Sequence, residues 1–169
     1  MLRLIIGIIF VILYLLVSCP IMLVMLIIRI FNRTAAETAM LRIVQWAFKV
    51  VWHIAGVRVT TIGLENVPDD EAVLFVGNHQ SFFDVIISYS QMKNRTGYIA
   101  KDSISHVPIL TWNMRFLRCL FIDRKNLRKG VRTILKAADY VNEGISIFIF
   151  PEGTRNKSGD ETALAPFHD

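Results

Sequence analysis

A histidine and an aspartate lie five positions apart in the apolar stretch VLFVGNHQSFFDVII. Inside one straight helix, side chains at this spacing diverge by about 140°, so His79 and Asp84 could not meet there. The segment SFFD, however, has the spacing of a capping box, which would start a helix at Ser81. His79 would then lie in the turn before the helix and Asp84 in its first turn. This bend predicts that the Asp84 carboxylate reaches one imidazole nitrogen and leaves the other free.

This pair of residue types is suited to proton transfer. A carboxylate beside one ring nitrogen fixes the tautomer of the imidazole and stabilises its protonated form. His79 could then act as a general base toward a hydroxyl group near neutral pH. The flanking Phe82 and Phe83 would anchor the helix and keep the site dry. Taken alone, the pattern also fits a helix-capping acid beside a histidine in a turn.

Polar side chains follow each of four predicted strands. The short apolar runs AVLFV, GYIA, RCLFI and SIFIF are rich in branched and aromatic residues, which predicts buried strands. They lead to His79, Lys101, Arg124 and the segment FPEGTR at residues 150–155. In open α/β sheets, ligands bind beyond the carboxyl ends of the strands. We therefore expect these side chains to share one edge of a sheet.

The segment FPEGTR combines residue types that bind a phosphorylated hydroxyl compound. Gly153 permits the backbone to approach a ligand closely. Glu152 can accept a hydrogen bond from a hydroxyl group, and Arg155 can hold a phosphate with its planar guanidinium group. On an isolated surface loop these residues would not indicate a binding site. The interpretation therefore depends on their place at the predicted edge of the sheet.

Helical patterns alternate with the predicted strands. Residues 127–141 place their apolar side chains on one helical face, and residues 57–63 alternate as in an extended segment. Such alternation predicts an α/β fold, a mostly parallel sheet flanked by helices. We assign this domain to residues 56–169. The sequence stops soon after a buried strand, which favours a domain that is incomplete at its C-terminus.

The chain begins with a membrane-like segment, since residues 4–28 contain no charged side chain. As a helix this segment would extend about 37 Å, enough to cross a bilayer core of about 30 Å. A cleaved signal peptide is the alternative, but the apolar run continues past Cys19 and no polar terminus follows. Pro20 could kink the helix, so a straight span and a helix that bends back to the surface both stay open.

A second helix is expected next. The segment TAAE, residues 34–37, has the spacing of a capping box with Thr34 as N-cap and Glu37 reaching back. The polar residues that follow form one narrow stripe, so this helix either packs on the domain core or lies at the membrane interface. We therefore predict that residues 1–55 are a membrane anchor of two helices. More basic residues follow the apolar run than precede it, which places the domain on the cytoplasmic side.

Basic residues are concentrated between Lys101 and Lys136, where nine lysines and arginines face two aspartates. This excess suits phosphate groups or an anionic membrane surface. Nucleic acid is not expected as a partner, because the chain begins with a segment for lipid. The four histidines lack the spacing of metal ligands, so no metal site is expected. Two cysteines give no disulfide framework.

The segments NHQSFFD, LFIDR and FPEGTR follow one another in the order of three known sequence boxes. In this the chain resembles the glycerophospholipid acyltransferases, whose NHxxxxD box the first segment matches. The likeness is closest to 1-acyl-glycerol-3-phosphate (lysophosphatidic acid) acyltransferases and covers about residues 57–167. Members of the family continue past the dipeptide PF to a fourth box on a further strand, and this sequence stops before it.

The resemblance implies a reaction. His79, assisted by Asp84, would deprotonate the free hydroxyl group of a lysophosphatidate. That oxygen would attack the thioester of acyl-CoA or acyl carrier protein directly, without an acyl-enzyme, to give phosphatidate for phospholipid synthesis. The thioester is a co-substrate, and no cofactor is expected. The implied substrate-binding residues are Lys101, Arg124 and Arg155 for the phosphate and Glu152 for the glycerol region, together with Gly153 and Thr154 of the same loop.

Other functions stay open. The acceptor could be another lysophospholipid or glycerol-3-phosphate. The chain could also be a non-catalytic fragment that binds membrane lipid. A serine hydrolase that uses Ser81 is disfavoured, because the GxSxG turn that exposes such a nucleophile is missing from the sequence.

Overall fold

The computed structural model describes residues 1–155, which form a helical hairpin followed by a sheet with helices on its faces. The predicted C-terminal truncation and the end of the second domain concern residues outside this described part. The helices are α1 (Leu2–Phe31), α2 (Arg33–Ala55), α3 (Phe82–Tyr89), α4 (Pro108–Phe116) and α5 (Leu127–Asn142). The strands are β1 (Leu74–Val76), β2 (Thr96–Lys101), β3 (Leu120–Ile122) and β4 (Ser146–Ile149).

The four strands form one parallel sheet in the order β1-β4-β2-β3. Leu74 of β1 pairs with Ile147 of β4, and Ile99 of β2 pairs with Leu120 of β3. The predicted α/β fold with a mostly parallel sheet is therefore confirmed. All four strands point the same way, so the residues that follow them lie at one edge, here called the carboxyl edge.

The extended segment at residues 57–63 forms no strand. Its alternation has another cause, because Val59 and Thr61 line a cleft against α2, where Gln45 and Trp52 form the opposite wall. The segment thus lies across a cleft from a helix, and within residues 1–155 no strand pairs with it.

Helix α2 starts at a different cap from the one predicted. Its N-cap is Asn32, whose side-chain oxygen accepts the backbone N–H of Ala35 at 2.9 Å. Thr34 is already inside the helix, so the predicted capping box with Glu37 is wrong. The physical reason is the environment of Glu37, whose carboxylate is buried among arginine side chains and does not reach back along the helix.

The inner face of α2 packs on the domain. Met40, Leu41 and Val44 belong to the buried core together with Tyr89 and Phe148 of the domain. The polar stripe of α2 takes part in this interface. Its Gln45 is buried and donates to the backbone carbonyl groups at positions 89 and 92, at the end of α3. Helix α2 therefore packs on the domain core, which is one of the two alternatives left open by its sequence.

Helix α1 is continuous through Pro20, and it is long and apolar enough to cross a membrane. Most of its apolar side chains are exposed on the outer side of the hairpin. Its inner side is attached to the domain, since Asn113 of α4 donates to the buried Ser18 hydroxyl at 3.0 Å. The second half of α1 therefore lies along the domain and does not project away from it.

Candidate active site

His79 and Asp84 meet as the capping pattern predicts. After β1 the chain turns, and Ser81 caps α3 while the Asp84 side chain completes the capping box. His79 Nδ1 lies 3.1 Å from Asp84 Oδ2. The turn is tight at Gly77, where a Cβ atom would lie 2.9 Å from the ring of Phe148. Glycine is therefore needed for the chain to pass the aromatic core and place His79 at the carboxyl edge.

One carboxylate oxygen of Asp84 has several partners. Besides the imidazole, Asp84 Oδ2 accepts the backbone N–H of Gln80 at 2.6 Å and that of Ser81 at 2.7 Å. Both interpretations of the sequence pattern are thus present together, since Asp84 caps the helix and also holds the histidine. The two amide donors fix the carboxylate, and the carboxylate in turn fixes the imidazole.

The imidazole ring is held from its face as well. His79 stacks on Phe150, the first residue of FPEGTR, with ring centroids 4.4 Å apart. The His79 side chain is only 18% exposed, so little of the ring is in contact with solvent. Within residues 1–155, the ring makes its hydrogen bond through Nδ1 to Asp84. This leaves Nε2 as the nitrogen that can exchange a proton with a substrate.

Glu152 plays a part that the sequence did not indicate. Its side chain is buried, and Oε1 accepts the backbone N–H of His79 at 3.1 Å. Its other oxygen, Oε2, is also buried and has no hydrogen-bond partner among the described residues. Glu152 therefore supports the turn that carries His79. A contact of Glu152 with the glycerol region of a substrate, which the resemblance implies, stays a prediction, since both carboxylate oxygens face the protein interior here.

The second and third boxes are joined by Arg124 and Gly153. The Arg124 guanidinium group donates through Nη1 to the Gly153 carbonyl oxygen. Gly153 has a φ of 67°, and a Cβ atom there would lie 2.9 Å from the same guanidinium group. Desolvation by partial burial lowers the pKa of Arg124 below its ordinary value, although an arginine stays cationic at neutral pH. The contact keeps one positive charge at the carboxyl edge.

Three further candidates lie around this edge. The Arg155 guanidinium carbon lies 4.0 Å from the centroid of the Phe82 ring, at the start of α3. This cation–π contact brings Arg155 to the helix that carries Asp84. Lys101 is the exposed last residue of β2, and Thr154 is exposed between Gly153 and Arg155. The structure therefore brings Arg124 onto Gly153 and Arg155 onto Phe82, and it gives Lys101 and Thr154 positions at the edge without such contacts.

An apolar groove of about 390 Å³ opens beside Arg124 and Gly153. Its walls are the ends of β2 and β3, with Ile99 and Ile122, and the apolar face of α5, including Val131. These residues come from distant parts of the chain, so no local pattern in the sequence could reveal the groove. Its shape and lining suit a hydrocarbon chain.

A metal ion and a cysteine nucleophile are two other groups that could do chemistry near this sheet. In residues 1–155, no cluster of three or more His, Cys, Asp or Glu side chains is arranged to hold a metal ion. Cys119 is buried in the core directly before β3, where its sulfur atom accepts the backbone N–H of Tyr98 at 3.4 Å. Burial raises the pKa of the Cys119 thiol to about 11. This cysteine is therefore a neutral core residue and no nucleophile.

Two known proteins are similar to this chain in sequence. A 1-acyl-sn-glycerol-3-phosphate acyltransferase of Borreliella burgdorferi is 32% identical over 112 residues, which cover 66% of this chain and 45% of that protein. One of Chlamydomonas reinhardtii is 37% identical over 100 residues, which cover 59% of this chain and 30% of that protein. The chain thus spans less than half the length of these relatives.

A solved structure shows the same fold. It is the 1-acyl-sn-glycerophosphate (LPA) acyltransferase PlsC from Thermotoga maritima, with a TM-score of 0.76 at 22% sequence identity. The match covers 96% of this chain and 65% of that one. The sequence model of the Acyltransferase family matches residues 58–169, well over half of the chain. The resemblance carried by the three boxes is therefore confirmed, and the chain belongs to the Acyltransferase family.

Proposed function

We propose that the chain transfers a fatty acyl group from a thioester to the free hydroxyl group of lysophosphatidate, which gives phosphatidate. The observation that carries this proposal is the contact of 3.1 Å between His79 Nδ1 and Asp84 Oδ2 at the carboxyl edge. The names of the sequence relatives support the choice of acceptor. The reaction belongs to phospholipid synthesis.

In the proposed reaction, His79 Nε2 takes the proton of the acceptor hydroxyl group. The hydroxyl oxygen attacks the carbonyl carbon of the thioester, and the carbon–sulfur bond breaks. The leaving thiolate then receives the proton from the imidazolium ring, so that the enzyme returns to its starting state. Asp84 stabilises the imidazolium in between. A general base of this kind contributes about 10²–10⁴-fold in rate.

The developing negative charge on the thioester oxygen needs hydrogen-bond donors, and the start of α3 offers few. The amides of Gln80 and Ser81 already donate to Asp84, and the amide of Phe83 donates to the Ser81 hydroxyl at 3.2 Å. These three groups are therefore occupied in capping. We assign the phosphate of the acceptor to Arg155, which lies on the Phe82 ring, and to Arg124, which donates to the Gly153 carbonyl group.

The apolar groove beside Arg124 and Gly153 would take the acyl chain of the thioester. Burial of one CH₂ group contributes about 0.8 kcal/mol, so a groove of this kind can select among chain lengths. Acyl-CoA and acyl carrier protein both supply such a thioester. Lys101 and the basic residues of α5 would meet the phosphate groups of either donor.

The hairpin supports a place at the membrane. The outer side of α1 exposes apolar side chains along its whole length, while its second half is attached to α4 through Ser18 and Asn113. This geometry favours a hairpin that lies in one leaflet over a straight span, with the carboxyl edge facing the bilayer on the cytoplasmic side. High-salt washing of membranes should release none of the chain. Recovery of the full-length chain in the wash would contradict the proposed membrane anchor.

The proposed activity is tested with the purified chain, an acyl thioester and lysophosphatidate in detergent. We expect release of free thiol together with formation of phosphatidate. Glycerol-3-phosphate and lysophosphatidylethanolamine, offered in parallel, decide the acceptor. Lipid binding without any thiol release would instead identify a non-catalytic fragment.

A further inference from the structure

Glu37 lies at the centre of a cluster of charges far from the carboxyl edge. Its side chain is 1% exposed, although glutamate is seldom buried. Four guanidinium groups surround its carboxylate, at nitrogen–oxygen distances from 2.6 to 3.4 Å. They belong to Arg29, Arg33, Arg95 and Arg118.

The four arginines come from two separate parts of the molecule. Arg29 and Arg33 flank the turn between α1 and α2, so they belong to the hairpin itself. Arg95 directly precedes β2 and Arg118 lies just before β3, at the amino ends of the strands. Glu37 therefore joins the turn of the hairpin to the edge of the sheet opposite His79.

On the domain side of this cluster, Arg118 is held by close packing. Arg118 is buried, and its backbone has a φ of 64°, which is unusual for a residue with a side chain. Gly97 of β2 leaves no space for a Cβ atom, because the carbonyl group of Arg118 packs directly against it. The Arg118 guanidinium carbon also lies 5.3 Å from the ring centroid of Tyr140 on α5. Without the Glu37 carboxylate, the buried positive charge of Arg118 would lose its compensation.

The other end of the hairpin lies beside the active site. Arg3 at the start of α1 packs against Gly56 at the end of α2. The groove between these two helix ends is also lined by Phe83, one residue before Asp84. The hairpin thus runs from the carboxyl edge to the amino edge, and Glu37 holds it at the end remote from the chemistry.

We propose that Glu37 is a positioning residue that locks the membrane hairpin to the sheet. The hairpin carries the exposed apolar surface, and the sheet carries His79. Their fixed relation sets the height and tilt of the active site against the bilayer in which the acceptor lies. The inference rests on the proposed function, because only an acceptor embedded in the membrane makes this height matter.

The test compares two acceptors in one preparation. Short-chain lysophosphatidate is dissolved as a monomer, and long-chain lysophosphatidate is embedded in phosphatidylcholine vesicles. We expect Glu37→Gln to lower turnover of the embedded acceptor by about tenfold or more, because small misplacement of reacting groups can cost up to about a hundredfold. Turnover of the dissolved acceptor and flotation with the vesicles should stay near wild type.

Arg33→Gln is the matched control. It removes a guanidinium group from the same carboxylate, but Arg33 is half exposed and lies on the same helix as Glu37. The ion pair of Arg33 with Glu143 after α5, at 3.8 Å, joins two exposed side chains and contributes little. The pairs of Glu37 with Arg95 and Arg118 remain, so both acceptors should be used as by the wild type. Equal losses on both acceptors in Glu37→Gln, or no loss on either, would overturn the proposal. If Glu37→Gln fails to fold, the same comparison is made with Arg95→Gln, because this variant keeps the buried ion pair between Glu37 and Arg118.

A readout without turnover separates this inference from the proposed function. Trp112 on α4 is half exposed and becomes the only tryptophan once Trp46 and Trp52 are changed to phenylalanine. Its quenching by brominated phosphatidylcholine reports the distance of the domain from the bilayer. Glu37→Gln should change this quenching and Arg33→Gln should not. Unchanged quenching in Glu37→Gln contradicts the lock even if the chain proves inactive on every acceptor.

Discussion

The Glu152 carboxylate accepts the backbone N–H of His79 at 3.1 Å, across 73 positions of sequence. This bond joins the first and third boxes of the family and fixes the turn on which the histidine lies. Phe150 strengthens the same connection by stacking on the imidazole ring. The two boxes are therefore one structural unit, in which one loop holds the base that another loop supplies.

Glu152→Ala should lower kcat by about tenfold, because a hydrogen bond from a buried group to a charged one contributes about 1.5–3 kcal/mol. The KM for the acceptor should change little, since the carboxylate acts through His79. Glu152→Gln should restore most of kcat, as its side-chain oxygen can still accept the His79 N–H. A rise in acceptor KM with normal kcat would assign Glu152 to the glycerol region instead.

Asp84→Asn should be severe, with a loss that approaches the 10²–10⁴-fold contribution expected of a general base. The neutral amide neither compensates the imidazolium charge nor enforces the tautomer. Asp84 also caps α3, so a loss of about 1 kcal/mol in unfolding free energy should accompany the change. Asp139→Asn, on the exposed face of α5, is the control. Near-normal turnover in Asp84→Asn would leave Asp84 as a helix cap only.

The sequence revealed the elements that depend on local patterns. The strands, the capping box at Ser81 and the contact between His79 and Asp84 all follow from residues a few positions apart. The burial predicted for β1 was wrong, because Leu74 and Val76 lie exposed on one face of this strand.

The order of the sheet does not follow from local patterns, because β4 inserts between β1 and β2 only when the whole domain has assembled. The buried role of Glu152 was missed for a similar reason, since its partner His79 is 73 positions away. The cap at Asn32 is local, with Ala35 as its partner, and it was missed because the pattern at Thr34 fitted equally well.

The same distinction explains the error at Glu37. Its spacing from Thr34 fits a capping box, yet four arginines compete for the same carboxylate. Two of those arginines are far away in the sequence. Each guanidinium group adds a full positive charge to its N–H donors, so the four arginines together hold the carboxylate more strongly than one backbone amide would.

Arg155→Ala should weaken use of the phosphorylated acceptor by about ten- to a hundredfold, the equivalent of 1.5–3 kcal/mol for a hydrogen bond to a charged group. Arg124→Ala should act in the same direction but less, because part of its donor capacity is used on Gly153. The measurement is an acceptor titration at fixed thioester, with Arg58→Ala, an exposed arginine in the segment after α2, as the control. A change confined to the thioester dependence would place these arginines on the donor.

Cys119 should resist alkylation in the folded chain. Burial raises the pKa of its thiol to about 11, so the reactive thiolate is scarce at pH 8. The ordinary pKa of a thiol is about 8.5, so stability that depends on the neutral form should fall as the pH rises from about 8.5 toward 11. Mass spectrometry after iodoacetamide treatment, with and without urea, checks this. Rapid labelling of Cys119 without urea would show that the core is open.

The proposed mechanism depends most on His79 as the general base. The decisive measurement is turnover of lysophosphatidate by His79→Ala, with its melting temperature and vesicle flotation measured in parallel. His53→Ala is the control, because His53 on α2 bonds only the Lys49 carbonyl group of its own helix at 2.6 Å. We predict that His79→Ala loses about 10²–10⁴-fold in kcat while folding and flotation stay normal, and that His53→Ala behaves as wild type. Normal turnover by a folded His79→Ala chain would contradict the mechanism.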